Sequence, residues 1–134
     1  MTDSVSETVK ALVVDDSAVS RKLAMRFLRL SEWADFDFAE ASGGEEALAS
    51  LQSGHFDYLF LDWNMADMTG GDLLQRIDSM KELGQNLRIV VMTTQQRAPT
   101  IDDVIAKCAL NAGYSRKPFD EVAVRKVLQE ASAK

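Results

Sequence analysis

The chain has 134 residues, 46% hydrophobic and 27% charged, with 15 basic and 21 acidic residues and a formal net charge of −6. This length is typical of one globular domain, and the acidic balance disfavours non-specific binding to nucleic acid or to an anionic membrane. A single cysteine and a single histidine exclude a disulfide framework, a cysteine-rich zinc site and a multi-histidine metal centre.

The first predicted elements are a strand and a basic amphipathic helix. Ala11–Val14 is a short apolar run typical of a buried strand. In the helix that follows, apolar residues share one face at the helical period, and they are Val19, Leu23, Phe27 and Leu30. Basic residues are expected on its solvent side, and they are Arg21, Lys22, Arg26 and Arg29.

The middle of the chain repeats this alternation. Phe36–Ala39 predicts a second strand, and a glycine pair precedes a helix over Glu45–Leu51. Tyr58–Leu61 predicts the third and most apolar strand. Gly70-Gly71 then opens a third helix.

The last third predicts two more strand–helix pairs. Ile89–Met92 is the fourth strand, and Pro99-Thr100 begins a fourth helix. Gly113–Arg116 predicts a short fifth strand, and a last helix is expected from about Asp120 to Ala131.

Strands that are separated by helical crossovers are parallel, and the crossovers are right-handed in almost all proteins. A parallel sheet buried on both faces also explains why these strands are nearly all apolar. The sequence therefore predicts an α/β fold, an open five-stranded parallel sheet with helices on both faces, formed by residues 1–134 as one domain. The apolar runs are too short to span a bilayer, so we expect a cytoplasmic protein without a membrane segment.

Polar residues follow four of the predicted strands, at the edge where open parallel sheets bind ligands. They are Asp15, Asp16, Asp62, Thr93, Thr94 and Lys117. Two carboxylates about 4 Å apart repel by ~4 kcal/mol at an effective dielectric constant of about 20, so the acidic residues need positive charge among them. Lys117 supplies one charge, and all-oxygen ligation suits Mg²⁺. A carboxylate beside both cations can act as a nucleophile toward a phosphoryl group.

Four ordered segments make the chain recognisable. It resembles the receiver domain of two-component response regulators, in particular the single-domain CheY-like type with a (βα)5 flavodoxin-like fold. The matching segments are Leu12–Ser17, Phe60–Met65, Val91–Thr93 and Tyr114–Phe119.

The resemblance implies a phosphoacceptor and a magnesium site. Asp62 matches the phosphoacceptor and also a metal ligand. Asp16 matches a direct Mg²⁺ ligand, Asp15 one that acts mostly through water, and Asn64 supplies its backbone carbonyl.

The resemblance also implies a switch. Thr93 matches the hydroxyl that contacts the phosphoryl group, and Lys117 matches the lysine that pairs with the phosphate. Tyr114 matches the aromatic residue whose rotamer reports activation. Positions that tune the phosphoryl lifetime are Asn64, Thr94 and Gln95.

Some residues depart from the family pattern. Ala66 stands where proline is usual, so we expect a more flexible loop after Asp62. Thr69 replaces a common aspartate, and Thr94 replaces a small residue and would crowd the phosphoryl site. Leu110 stands at a position that is often glycine.

The function implied by the resemblance is that of a single-domain response regulator rather than a turnover enzyme. A sensor histidine kinase or a histidine phosphotransfer protein would phosphorylate Asp62 with Mg²⁺. This would change the affinity of a surface made by the fourth helix, fifth strand and last helix for a downstream protein, in chemotaxis or another phosphorelay. We expect a monomer without nucleic-acid or membrane partners.

Other functions remain open. The chain could be a receiver-shaped interaction module that is not phosphorylated, or a phosphate sink without a regulated output. A phosphate-ester hydrolase would need a second aspartate two residues after Asp62 as a general acid, where this chain has Asn64. A nucleotide-binding domain is disfavoured because the first strand leads into Asp-Asp-Ser and not into a glycine-rich loop.

Overall fold

The computed structural model describes residues 8–84, 86–93, 103, 111–116 and 121–132. The strands are β1 (Thr8–Val14), β2 (Asp35–Ala41), β3 (Tyr58–Asp62), β4 (Arg88–Thr93) and β5 (Asn111–Arg116). They form one parallel sheet in the order β2-β1-β3-β4-β5. The predicted fold class is therefore confirmed.

Helices cross between the strands. They are α1 (Ala18–Leu30), α2 (Gly44–Ser53), α3 (Gly70–Ser79), a four-residue helical segment (Lys81–Gly84) and a C-terminal helix (Glu121–Ser132). The four-residue segment was not expected from the sequence. The predicted fourth helix lies outside the described residues, except for Asp103, which is helical.

The alternating strand residues build two cores. One core packs strand residues such as Leu12, Leu59 and Ile89 against α2 and α3. The other packs Val13 and Phe60 against α1 and the C-terminal helix. Because successive strand side chains point to opposite faces, an uninterrupted apolar strand can supply both cores.

The orientation of α1 differs from the sequence prediction. Ala24 and Leu28 are its buried residues, and Phe27 packs partly buried against the same core as predicted, whereas Val19, Leu23 and Leu30 are 69%, 49% and 50% exposed. Arg21, expected on the solvent side, is only 15% exposed in its side chain. Ala24 and Leu28 belong to the same core as Val13 and Phe60, so this face of α1 packs on the sheet. Within the described residues, no helix is long and apolar enough to cross a membrane.

Candidate functional site at the carboxyl edge of the sheet

Three aspartates meet where β1 and β3 end. Val14 of β1 pairs with Leu61 of β3, so Asp15, which follows β1, and Asp62, the last residue of β3, lie side by side. One carboxylate oxygen from each of Asp15, Asp16 and Asp62 lies within 4.8 Å of the other two. The structure thus brings together the three acidic residues that the sequence placed at this edge.

The cluster is partly withdrawn from solvent. Asp15 is 2% and Asp62 9% exposed, whereas Asp16 is exposed. At this spacing each pair of ionised carboxylates repels by about 3–4 kcal/mol at an effective dielectric constant of about 20. The site therefore favours a bound cation.

The donor set fits Mg²⁺. Magnesium takes oxygen ligands at 2.0–2.1 Å in an octahedron, which places neighbouring ligand atoms roughly 3–4 Å apart. The three carboxylates offer oxygens within 4.8 Å of one another, so small side-chain rotations bring them to this spacing. Solvent access at Asp16 leaves room for the waters that Mg²⁺ retains.

The β1–α1 loop that carries two of these aspartates is held by hydrogen bonds. The Asp15 amide donates to the Ala41 carbonyl at 3.1 Å, and Asp15 Oδ1 accepts from the Ser17 amide at 2.9 Å. Ser17 also caps α1, since its hydroxyl accepts from the Ser20 amide at 3.2 Å. These hydrogen bonds fix the backbone of the loop from which the acidic side chains extend.

Arg21 braces the same loop from α1. Its Nη1 donates to the Asp15 carbonyl at 2.6 Å, and its Nε donates to Glu40 Oε1 at 2.9 Å. A guanidinium can make both bonds at once because its donors form a fixed fork. Arg21 therefore joins α1, the β1–α1 loop and β2.

The loop between β3 and α3 closes on itself. The Gly70 amide donates to the Trp63 carbonyl at 2.6 Å, and Asn64 and Thr69 form an antiparallel bridge. Thr69 then starts α3 through a reciprocal capping box with Asp72, at 3.0 and 3.1 Å. Threonine thus caps the helix at the position where the family commonly has aspartate.

Trp63 lies between the phosphoacceptor candidate and α3. It is 9% exposed, belongs to the core beside α2 and α3, and its amide donates to the Met92 carbonyl at 3.2 Å. A Cβ on Gly71 would come within 2.9 Å of the indole ring. The indole therefore packs against the first turn of α3, one residue along the chain from Asp62.

Asp67 anchors the tip of the same loop to α2. Its two carboxylate oxygens accept from the Gly44 amide at 3.1 Å and the Glu45 amide at 3.0 Å. These two hydrogen bonds, the one from Glu45 contributing most, hold the pKa of the Asp67 carboxyl below its usual range. The N-cap residue of α2, Gly43, has no side chain to do this.

The remaining predicted site residues are described in part or not at all. Asn64 is exposed, two residues after Asp62. Thr93 ends β4 one residue past Met92, which pairs with Asp62, so its backbone lies at the same edge of the sheet. The Tyr114 backbone lies within β5, opposite Val91. The side chains of Thr93 and Tyr114, and the whole of Thr94, Gln95 and Lys117, lie outside the described residues.

Sequence reasoning missed Arg21 and Asp67 as parts of the site. The sequence pattern places Arg21 on a solvated helix face and does not by itself assign a role to Asp67. A signal did exist for Asp67, because the Gly43-Gly44 start of α2 offers backbone amides without a capping side chain. Which acidic residue would meet them depends on tertiary structure.

A parallel five-stranded sheet that gathers three carboxylates at its carboxyl edge defines an α/β protein with a candidate divalent-cation site. The family model of the response regulator receiver domain matches residues 11–129. The chain therefore belongs to the response regulator receiver family, whose members are signalling modules with phosphorylation and magnesium binding as general features. They are not turnover enzymes in the usual sense.

Individual relatives agree with this assignment. The chain is 34% identical over 125 residues to the chemotaxis protein CheY of Pseudomonas aeruginosa, covering 91% of this chain and 94% of that protein. It is 33% identical over 128 residues to CheY-3 of Vibrio cholerae, covering 93% and 92%. The solved structure of Vibrio cholerae CheY4 superposes with a TM-score of 0.78 at 27% identity, covering 93% of this chain and 99% of that one.

Proposed function

We propose that this chain is a CheY-type response regulator that accepts a phosphoryl group on Asp62. The observation that carries the proposal is the approach of the Asp15, Asp16 and Asp62 carboxylates to within 4.8 Å at the ends of two neighbouring strands. The similarity to two chemotaxis proteins over more than nine-tenths of the chain supports the same conclusion. Chemotaxis is the pathway we propose.

We assign each part of the proposed phosphoryl transfer to residues of this chain. An Asp62 carboxylate oxygen attacks the phosphorus of the donor, the new O–P bond forms, and the bond to the donor group breaks with its electron pair leaving on that group. Asp15, Asp16, Asp62 and the Asn64 carbonyl would hold Mg²⁺, which when bound neutralises charge on the phosphoryl oxygens. Thr93 and Lys117 are proposed to contact those oxygens.

The donor would be a sensor histidine kinase or a histidine phosphotransfer protein. The output would be a changed affinity for a downstream protein at the surface formed by the predicted fourth helix, β5 and the C-terminal helix, with Tyr114 following Thr93. Such a switch requires two packings that differ by only a few kcal/mol. We propose a cytoplasmic monomer without nucleic-acid or membrane partners.

The test uses a small phosphodonor with Mg²⁺ and two readouts, intact mass and Trp63 fluorescence. We expect a phosphate-sized mass increase that is lost without Mg²⁺ and lost in Asp62→Asn. The matched control is Asp57→Asn, because Asp57 lies just before the opposite end of β3 and accepts a hydrogen bond from the Lys10 amide. It should be phosphorylated like the unaltered chain.

Three outcomes would overturn parts of the proposal. No mass increase in the unaltered chain would favour an interaction module that is not phosphorylated, whereas an unchanged increase in Asp62→Asn would show that a residue other than Asp62 accepts the phosphoryl group. Fast transfer from a phosphorylated kinase without any protein that prefers the phosphorylated form would instead indicate a phosphate sink.

A further inference from the structure

We infer that Asp67 is a positioning residue that holds the β3–α3 loop against α2 and thereby sets the Asn64 carbonyl in place for the cation. This inference rests on the proposed function, since it assigns a role toward the same metal site. Asp67 lies three residues after Asn64, in the loop between Asp62 and the start of α3 at Gly70.

The first support is that the loop is held at its base by its own backbone. The Gly70 amide donates to the Trp63 carbonyl at 2.6 Å, and Asn64 is bridged to Thr69. These contacts close the loop at its base, and its tip, Ala66 to Met68, lies beyond them and reaches α2 through Asp67. Ala66 does not restrict its own backbone as a proline would.

The second support is the contact at the tip. Both Asp67 oxygens accept from α2 amides, Gly44 at 3.1 Å and Glu45 at 3.0 Å. The first amides of a helix have no partner within the helix, and negative charge is favourable there. Because Gly43 offers no capping side chain, Asp67 does for α2 what an N-cap residue usually does.

The third support is that α2 is shaped to receive this tip. A Cβ on Gly43 would lie 2.9 Å from both Asp67 oxygens, and a Cβ on Gly44 would overlap the Met68 side chain. A Cβ at either glycine would force the Asp67 or Met68 side chain to shift, so the two glycines permit the present close approach of the loop tip to α2. We name the contact between Asp67 and the Gly43–Glu45 segment the loop anchor.

The test compares Asp67→Ala with Glu46→Ala. Glu46 is a suitable control because it belongs to the first turn of α2 and accepts from the Ser42 amide, yet neither of these residues belongs to the loop. The readouts are the Kd for Mg²⁺ from Trp63 fluorescence, and hydrogen exchange of the loop amides in the metal-free protein.

For Asp67→Ala we expect the Kd for Mg²⁺ to rise about fivefold, the factor that corresponds to ~1 kcal/mol. Amides of residues 63–69 should exchange faster by a similar factor, while Glu46→Ala changes neither readout. Gly43→Ala should act like Asp67→Ala, and the double variant should be no worse than either, because both remove one contact. If Asp67→Ala does not fold, Asp67→Asn, which can accept one of the two hydrogen bonds, should give part of the effect.

The outcomes separate this inference from the proposed function. Suppose that the unaltered chain binds Mg²⁺ and is phosphorylated, and that Asp67→Ala has the same Kd for Mg²⁺ and the same exchange of its loop amides. The positioning role of Asp67 is then wrong, and the proposed function is unaffected. If faster exchange is confined to α2, Asp67 only caps the helix, and the positioning role is also wrong. If the unaltered chain binds no Mg²⁺, the proposed function fails together with the metal-positioning role, and the exchange data still decide whether Asp67 orders the loop.

Discussion

The guanidinium of Arg21 donates a 2.6 Å hydrogen bond to the main-chain carbonyl of Asp15 and so ties α1 to the loop that carries the acidic cluster. The same side chain reaches Glu40 on β2 at 2.9 Å. The two contacts differ in burial, because Asp15 is 2% exposed, whereas the Glu40 side chain is 42% exposed. The carbonyl contact should therefore contribute more to stability than the ion pair, which water screens.

We predict that Arg21→Ala lowers the free energy of unfolding by about 1–3 kcal/mol, since it leaves the Asp15 carbonyl without its charged donor. Glu40→Gln should lower it by less than ~1 kcal/mol. Urea unfolding followed by circular dichroism measures both. The control is Lys22→Ala, an exposed neighbour on α1 that should change stability by no more than about 0.5 kcal/mol. Equal unfolding midpoints for Arg21→Ala and Lys22→Ala would show that the brace contributes nothing.

A second prediction concerns Gly70, where α3 passes close to β3. A Cβ there would lie 2.7 Å from Leu61 Cδ1 and 3.0 Å from the Asp62 carbonyl oxygen. Backbone cannot rotate away as a side-chain tip can, so Gly70→Ala should destabilise the protein by about 1–3 kcal/mol despite the higher helix propensity of alanine. Thermal unfolding measures the loss.

The matched control for Gly70 is Gly54→Ala, because a Cβ at Gly54 would have its nearest neighbours at 3.9 Å, an ordinary contact distance. Its unfolding temperature should stay close to that of the unaltered chain. In Gly70→Ala, Trp63 fluorescence should also shift in the folded state, since the new methyl group would lie 3.0 Å from Trp63 Cα. If Gly70→Ala unfolds at the same temperature as Gly54→Ala, the predicted clash is contradicted.

A third prediction concerns repulsion within the acidic cluster. Replacing Asp16 by asparagine removes one charge from the group whose oxygens lie within 4.8 Å. Without Mg²⁺ this should raise the free energy of unfolding, by about 0.5–1 kcal/mol because Asp16 is exposed and water screens it. With Mg²⁺ at 100 times its Kd the unaltered chain should gain ~2.7 kcal/mol, and Asp16→Asn should gain less at the same concentration.

The control for Asp16 is Asp37→Asn, which removes the same charge from the outer strand β2, where Asp37 is exposed and opposite Lys10. It should bring no gain without Mg²⁺ and leave the Mg²⁺ response unchanged. Chemical unfolding of the unaltered chain and the two variants, with and without Mg²⁺, supplies all six values. A lower stability of Asp16→Asn in metal-free buffer would mean that repulsion does not dominate at this position.

The acidic cluster could be predicted from the sequence because it depends on only two regularities. Buried parallel strands are visible as apolar runs, and residues that follow neighbouring strands meet at one edge of the sheet. These two regularities are enough to predict that Asp15 and Asp62 lie close together. The face of α1 that packs on the sheet could not be predicted in this way, because Ala24 and Leu28 carry no stronger signal than Val19 and Leu23.

The contacts of Arg21 and Asp67 were missed for a different reason. Asp67 meets Gly44 and Glu45 more than twenty positions earlier in the chain, and Arg21 meets Glu40 across a helix–strand connection. Neither contact follows a helical or strand period. Such pairs are settled by how loops fold over the sheet edge, which hydrophobic patterning does not encode.

The last prediction concerns the pH dependence of the loop anchor. The Glu45 and Gly44 amides hold the pKa of the Asp67 carboxyl below its ordinary value, and the nearby Glu45 carboxylate is itself paired with Arg76 at 2.6 Å. A carboxyl with a lower pKa in the folded state binds protons less readily there than in the unfolded chain. Its contribution is therefore complete above the unfolded pKa of about 3.9 and disappears as the pH falls through the folded value.

The unaltered chain should accordingly exceed Asp67→Asn in free energy of unfolding by a constant amount from about pH 5 to 7, of the order of the ~1 kcal/mol of a helix cap. The difference should shrink below about pH 4. A protonated Asp67 carboxyl accepts hydrogen bonds from the backbone amides of α2 no better than the asparagine side chain of the variant does. Urea unfolding of both proteins across pH 3–7 measures it. A difference that stays constant down to pH 3, or that grows, would mean that the ionised carboxylate is not what stabilises the start of α2.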